Sequence, residues 1–461
     1  MKIMSSEIIQ LAVFAAPLIF PWNVFGESQI TLDLDRKSGV YRKGDMVYLT
    51  VCYQKDGKPA SGALRIDSYY PDGSSEQKIF SISGRNVFPV KLEKDAARFV
   101  VSEQRADKSA SGKHLASAAI GVVADPQSIT PGITEPSDFQ QFWDRAKAEL
   151  AKVPAKAVRK ELEVTDALLP SATSWFTYVT RKEIDTPIAL KGNFRLWDVR
   201  VDCVGNVPVS GYLTMPAGAK PKSLPVIVTF HGAGVRSASK AFVSGAIRFD
   251  VNAHGIENGR EPAYYQGLAS SRLKDYRRKN ADSRDRFYFR NMFLRVIQAL
   301  EYVKTLPEYD GETLIVIGNS QGGAQALAAG FFDPSVKLIY AGVPALCDHG
   351  GIFAGRNSGW PQLIRLKNGK PENPDILRTA AYYDMAFFAG RIRAEIYMTV
   401  GLVDTVCAPT TVFAAFNRIP PGRKHIRISP SDKHGDIDFP AFNRRVQEVV
   451  RAVSAKKALG K

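Results

Sequence analysis

Cysteine is scarce in this sequence: Cys52, Cys203, Cys347 and Cys407 are the only four in 461 residues. That excludes a small disulfide-stapled scaffold, and a chain of this length buries enough apolar surface not to need one. Cys347 and Cys407 are the pair a single bridge would use, but free buried cysteines acting as small hydrophobes are the simpler expectation. No cluster of metal-ligating residues has suitable spacing and no dinucleotide fingerprint occurs, so neither a metal nor a cofactor is expected. No nucleic-acid-binding motif is present and no internal repeat is visible, so nucleic acid is not an expected partner and a solenoid is not an expected fold. Histidine is also sparse, six in all, which shortens the search for a general base.

What is present begins with "MKIMSSEIIQLAVFAAPLIFPWNVFG", residues 1–26. Lys2, an apolar stretch from Ile8 to Phe20 and the small Gly26 follow the grammar of a secretory signal peptide. The apolar stretch is short and broken by Pro17, with Pro21 just beyond, so stable membrane insertion is not expected. The chain is therefore expected to be secreted or periplasmic. Lys and Arg outnumber Asp and Glu by 62 to 46, a surplus that favours anionic partners. The densest basic stretch, Ser271 to Arg290, reads first as a solvated face and second as a surface for an acidic polysaccharide.

From residue 27 to 125, short alternating runs such as "ITLDLDR", "MVYLTVCYQ" and "ALRIDSYY" are separated by breaker clusters such as "KDGKPASG" and "PDGSS". This pattern predicts an all-β, immunoglobulin-like sandwich of about seven strands. Residues 126–137, rich in proline, serine and threonine, read as a linker. From 138 to 461 the period changes. A helix is expected from "SDFQQFWDRAKAELAKV", with Ser137 or Asp138 capping its first turn and Phe139, Phe142 and Ala146 on one face. A hairpin is expected around Gly205-Asn206. Then "PVIVTF", "RFDVNA", "TLIVIG", "VKLIYAGVP" and "AEIYMTVG" are apolar on both faces and alternate with helical stretches. That predicts an α/β fold with a mainly parallel sheet covered on both sides, its reactive groups at the carboxyl ends of the strands.

Ser320 lies at such an end. Gly318-Asn319-Ser320-Gln321-Gly322, between a buried strand and a helix, matches the nucleophile elbow of α/β-hydrolases. Gly318 and Gly322, lacking a Cβ, let strand and helix approach around the strained turn. A serine hydroxyl needs a base. His434 lies in a loop past the last predicted strand, where the elbow's usual order places it, whereas His425 falls inside that strand. Asp404 ends an apolar strand between them and is the expected acid, with Asp348 and Asp384 as competitors. The oxyanion needs two amide donors: Gln321 after the nucleophile, and Ala233 in "FHGAG", a loop shaped by His231 and Gly232.

From about Thr134 to Phe439 the chain resembles the acetyl xylan esterase and cephalosporin-C deacetylase family of carbohydrate esterases. "GNVPVSGYLTMPAG", "VTFHGAG", "DRFYFRNMFLRVIQALEYV", "GNSQGG", "YYDMAFFAGRI" and "VGLVDTVCAPTTVFAAFNRI" carry the resemblance. It implies an α/β-hydrolase with Ser320, Asp404 and His434 as triad, and a serine esterase that removes acetyl groups from carbohydrates such as xylan. It also implies an acetylated carbohydrate as partner and a possible homo-oligomer. Two positions depart from the family's pattern: Ala253-His254-Gly255-Ile256 stands where an Arg-Gly-Gln stretch is usual, and Gly435 rather than Glu follows the histidine. The residues leave open a peptidase or general carboxylesterase of the same fold, or a catalytically inert polysaccharide-binding protein.

Overall fold

The computed structural model describes residues 28–104, 115–165, 168, 190–435 and 437–458. The expected signal peptide, 1–26, lies outside the described residues.

The N-terminal part is all β. Its strands are β1 (Ser28–Leu34), β2 (Val40–Tyr41), β3 (Met46–Lys55), β4 (Lys58–Pro59), β5 (Ser61–Tyr69), β6 (Ser75–Ser83), β7 (Arg85–Lys91), β8 (Ala96–Glu103) and β9 (Ser117–Ala124). In one sheet β3 pairs with β1, β4 and β7; the other runs β2-β9-β8-β5-β6. Alternation along β3 turns Val47, Leu49, Val51 and Tyr53 inward. There they meet Leu64, Ile66, Phe99, Val101, Ile120 and Val122 of the second sheet in one core. β2 and β4 take the strand number above the seven or so expected. Each is two residues long, too short to carry a readable period.

The larger part is built on a nine-stranded sheet. Its strands are β10 (Ala157–Leu162), β11 (Phe194–Val201), β12 (Val209–Pro216), β13 (Leu224–Phe230), β14 (Ile247–Val251), β15 (Tyr309–Asn319), β16 (Val336–Gly342), then β19 (Glu395–Gly401) and β20 (Lys424–Ser429) after a small hairpin of β17 (Leu366–Lys367) and β18 (Lys370–Pro371). Their order is β10-β11-β12-β14-β13-β15-β16-β19-β20. The first three pairings are antiparallel and the other five parallel. β11 and β12 form the antiparallel pair expected around Gly205-Asn206.

Period-two alternation decides which helix covers which face. Val226, Val228, Leu314 and Val316 join the large core. That core is closed by α1 (Phe139–Leu150), α3 (Tyr288–Lys304), α4 (Gln321–Phe332) and α6 (Met385–Ala389). Ile227, Ile315 and Ile317 point the other way, onto Phe442 and Val446 of α8 (Pro440–Ala458). Strands covered on both sides read as continuous apolar runs, which is why they are legible. α2 (Pro262–Ser270), α5 (Pro374–Ala381) and α7 (Pro409–Arg418) complete the helices used below. Trp143 of α1 is fully buried and donates from its indole nitrogen to Tyr382 O at 3.1 Å; truncating such a side chain to alanine costs about 3–5 kcal/mol.

Asp138 does not cap α1 with its side chain. Its carboxylate instead meets Arg284 at 2.9 Å and accepts the Tyr382 hydroxyl, charge-assisted partners that outcompete a first-turn amide. Elsewhere in the basic stretch, Arg290 pairs with Glu149 and Arg278 donates to the carbonyls of Pro361 and Gln362. These arginines staple neighbouring segments.

Residues 126–137 are held rather than loose. Ile129 is buried. The Asn417 side chain donates to Pro126 O and Ile129 O at 2.7 and 2.8 Å, Arg356 donates to Thr130 O at 2.6 Å, and Gly132 N donates to Asp348 at 2.7 Å. The β part also touches the larger part directly. Gly121 N donates to Pro430 O at 2.8 Å, and a Cβ at Gly121 would lie 2.2 Å from Leu402 O.

Candidate active site

β15 is apolar from Leu314 to Ile317 and α4 starts at Gln321, leaving Ser320 to make the whole turn. It does so at φ 56° and ψ −121°, a conformation that strains a non-glycine residue by roughly 1–3 kcal/mol. The surroundings hold it there: Ser320 N donates to Gly342 O at 2.8 Å, and Ser320 O accepts from Ala324 N and Ala345 N at 3.1 and 3.0 Å. The flanking glycines are sterically required. A Cβ on Gly318 would sit 2.1 Å from Gly322 O, and one on Gly322 would sit 2.0 Å from Phe230 O.

Residues distant in sequence meet at this turn. His434 Nε2 lies 2.9 Å from Ser320 Oγ, and its Nδ1 lies 2.8 Å from Asp404 Oδ2. The other oxygen of Asp404 accepts from Val406 N and Cys407 N at 2.7 and 2.9 Å. The Asp404 carboxylate is therefore buried and held on both oxygens, whereas the His434 side chain is about a quarter exposed. Acceptor groups on one side and a hydroxyl on the other define a proton path from oxygen to nitrogen. The loops that bring the two together are tied by Leu402 N to Ser429 O, 2.8 Å, and Val403 N to Asp432 O, 3.3 Å.

A cleft of about 680 Å³ opens over Ser320 and is lined by His231, Gly232, Ala233, Trp360, Val406 and His434 among others. Gly232 passes close enough that a Cβ on it would be 3.7 Å from Ser320 Cβ. The amide of Ala233 has no acceptor among the described residues. Nor has that of Gln321, which as the first residue of a helix has no intrahelical acceptor. Both amides can serve an oxyanion. The Gln321 side chain points the other way, its carbonyl oxygen accepting from the Tyr276 hydroxyl at 2.7 Å.

His231 does not act on Ser320. Its Nδ1–H donates to Gly232 O at 2.7 Å and its Nε2 accepts from Ala253 N at 3.2 Å. Desolvation, helped by the charge of Arg236, lowers its pKa to about 4, so it is a neutral brace. His254, at the departure from the family pattern, donates from Nε2 to Gly234 O at 3.1 Å, and its Nδ1 takes the Tyr288 hydroxyl at 2.7 Å. The loop from 231 to 234 is thus clamped by two imidazoles and by Tyr276, whose hydroxyl also receives Gly234 N at 3.4 Å. Burial pushes the Tyr276 pKa up to about 12, which keeps that hydroxyl a donor.

The competing residues go elsewhere. His425 lies on β20 and stacks on Tyr397 at 4.3 Å. Asp348 pairs with Arg356 at 3.0 Å, and Asp384 accepts from the amides of Asp348, His349 and Ala386. All four cysteines are free.

Sequence reasoning passed over Trp360, Val406, Tyr276 and the buried pair Arg248–Asp250, 3.1 Å apart at the cleft wall. Only the last leaves a trace: two charges inside the apolar run "RFDV". Asp250 also takes the Thr229 hydroxyl at 2.6 Å and Ser239 N at 2.9 Å.

A family model described as acetyl xylan esterase (AXE1) matches residues 181–448. Acetyl esterase Axe7A of Xylanibacter ruminicola is 28% identical over 336 residues, covering 71% of this chain and 69% of its own. An acetyl xylan esterase from a Paenibacillus species superposes with a TM-score of 0.52 at 24% identity, over 71% of this chain and 98% of that one. Acetyl xylan esterase 1 from a Thermoanaerobacterium species gives 0.50 at 22%, over 71% and 97%. These two likenesses are of fold, the α/β-hydrolase type.

Proposed function

The chain belongs to the acetyl xylan esterase family and is a carboxylic ester hydrolase; on that premise we propose that it removes acetyl groups from acetylated carbohydrates, such as xylan or its oligosaccharides, through an acyl-enzyme on Ser320. The observation that carries the mechanism is the hydrogen-bonded line from Ser320 Oγ through both nitrogens of His434 to Asp404. His434 Nε2 takes the hydroxyl proton as Ser320 attacks the acetyl carbonyl, and Asp404 stabilises the imidazolium. The amides of Ala233 and Gln321 receive the oxyanion. The protonated imidazole then hands its proton to the departing sugar oxygen, which leaves as a hydroxyl. Water, deprotonated by the same nitrogen, cleaves the acyl-serine and releases acetate.

Residues 1–26 we read as a signal peptide that exports the enzyme, and the all-β part as an immunoglobulin-like accessory sandwich. The test is labelling by a fluorophosphonate together with acetate release from acetylated xylo-oligosaccharides. Labelling that persists in Ser320→Ala would reject the nucleophile. Peptide cleavage without acetate release would reject the substrate class.

A further inference from the structure

Arg236 lines the catalytic cleft and takes no part in the reaction described above. The other ionisable side chains described along that cleft are His231, Arg248, Asp250 and His434. Arg248 and Asp250 offset each other at 3.1 Å, and His434 faces Asp404 at 2.8 Å. His231, held down by desolvation first and by the charge of Arg236 second, is neutral. Arg236 is left over: its guanidinium meets no carboxylate and no hydrogen-bond acceptor among the described residues.

The segment that carries it is fastened through its backbone. Arg236 O accepts from the Asn252 side chain at 2.9 Å, Ala238 N donates to Asn258 at 2.9 Å, and Ser239 N donates to Asp250 at 2.9 Å. The guanidinium turns towards the nucleophile. A Cβ placed on Gly232 would lie 3.7 Å from Ser320 Cβ and 4.0 Å from Arg236 Nη2, so both flank the same glycine. Elsewhere arginines staple the fold, Arg284 to Asp138 and Arg356 to Asp348; this one has nothing to staple. Phe230, Ile317, Val343, Trp360 and Val406 give the cleft apolar walls, which concentrate the field of an uncompensated charge.

We infer that Arg236 is a specificity residue that recognises a carboxylate, selecting acetate esters whose alcohol portion carries an acid group a few bonds from the scissile oxygen. The acetyl group offers no place for that charge, being a methyl on the carbonyl that the amides of Ala233 and Gln321 receive. The acid must therefore sit on the alcohol side. Arg236 follows Ala233 by three residues in the same loop, and its planar fork of donors matches a carboxylate through two parallel hydrogen bonds. The inference rests on the deacetylase reading above and deepens it by charge: among saccharides, the class selected is one bearing a uronic acid.

The test compares the full chain with Arg236→Gln and Arg236→Lys on two substrate pairs, each an acid and its neutral amide of the same shape. One pair is 4-acetoxybenzoate and 4-acetoxybenzamide; the other is an O-acetylated glucuronic acid and its amide. The quantity read is the ratio of kcat/KM for acid over amide, in which any general effect of a substitution on fold or nucleophile cancels. Arg236→Gln should lower the ratio about five- to tenfold, the loss of a charged hydrogen-bonding partner that solvent partly screens. Arg236→Lys, which keeps the charge without the fork, should fall between. In the wild-type enzyme the ratio should also shrink as salt is raised. A change confined to the sugar pair would assign the carboxylate to a uronic acid, and a change in both pairs to hydroxy-acid esters at large. Ratios that Arg236→Gln leaves unaltered in both pairs, with acetate still released, would overturn the inference and leave the deacetylase reading standing. Release of acetate from no member of either pair by the wild-type enzyme would overturn both.

Discussion

His434 Nδ1 lies 2.8 Å from one oxygen of Asp404, and the other oxygen of that carboxylate is pinned by two backbone amides. The pinning fixes which oxygen faces the imidazole, and so fixes the tautomer: Nδ1 carries the proton and Nε2 is free to take one from Ser320.

Asp404→Asn should keep the fold and destroy this choice. The two amides still claim the remaining oxygen, so the new NH2 group faces Nδ1 and drives the proton to Nε2. A loss of about 10⁴-fold in kcat is expected, with little change in KM. Steady-state hydrolysis of an aryl acetate measures it; a loss smaller than about tenfold would sink the assigned acid.

Gly322→Ala should act on folding before chemistry. The added methyl meets the Phe230 carbonyl at 2.0 Å and the His231 carbon at 3.1 Å. Both are backbone atoms at the end of a central strand and cannot swing aside. A destabilisation of about 1–3 kcal/mol or more is expected, read as a lower urea midpoint. An unshifted midpoint would mean that the elbow is looser than its geometry requires.

His254 links stability to pH. Burial, then the charges of His231 and Arg295, hold its pKa at about 3 against a usual 6.5. The unfolded chain therefore takes up a proton that the native state refuses. Stability is full above pH 6.5 and drains as pH falls towards 3, by up to about 1.4 kcal/mol per pH unit. Asp384 tilts the curve the other way: burial and Asp348 raise it from 3.8 to about 7, so its contribution is lost as pH rises through that window. Denaturant titrations at several pH values should show His254→Gln losing less stability than wild type between pH 6 and 4. Parallel curves would contradict the burial of an uncharged ring.

Gly121→Val should reach the site from the β part. Its side chain would press on Leu402 O, two residues before Asp404, and strain the bond from Gly121 N to Pro430 O, four residues before His434. A lower kcat on small esters, about tenfold, is expected with the hydrolase sheet intact. Wild-type turnover would show that the two loops hold their geometry without that support.

The order of elements and the meeting of Ser320, Asp404 and His434 were legible because each depends on local pattern: an apolar strand, a glycine-flanked serine, a loop after a strand. Helix capping was misread because the sequence shows that Asp138 can cap but not that Arg284 and Tyr382, far along the chain, compete for it. Tyr276 and Trp360 stayed hidden for a related reason. An aromatic side chain in a loop reads the same in sequence whether it faces solvent or, like Tyr276, holds Gln321.

The fastened stretch from Pro126 to Gly132 has a consequence for how this molecule breaks. A protease needs several residues of extended, unhindered backbone, and such tips are where cutting normally starts. Here the carbonyls of Pro126, Ile129 and Thr130 are already engaged by Asn417 and Arg356. Limited digestion should leave this junction uncut for as long as the larger part remains native, so the two halves would degrade together rather than separate.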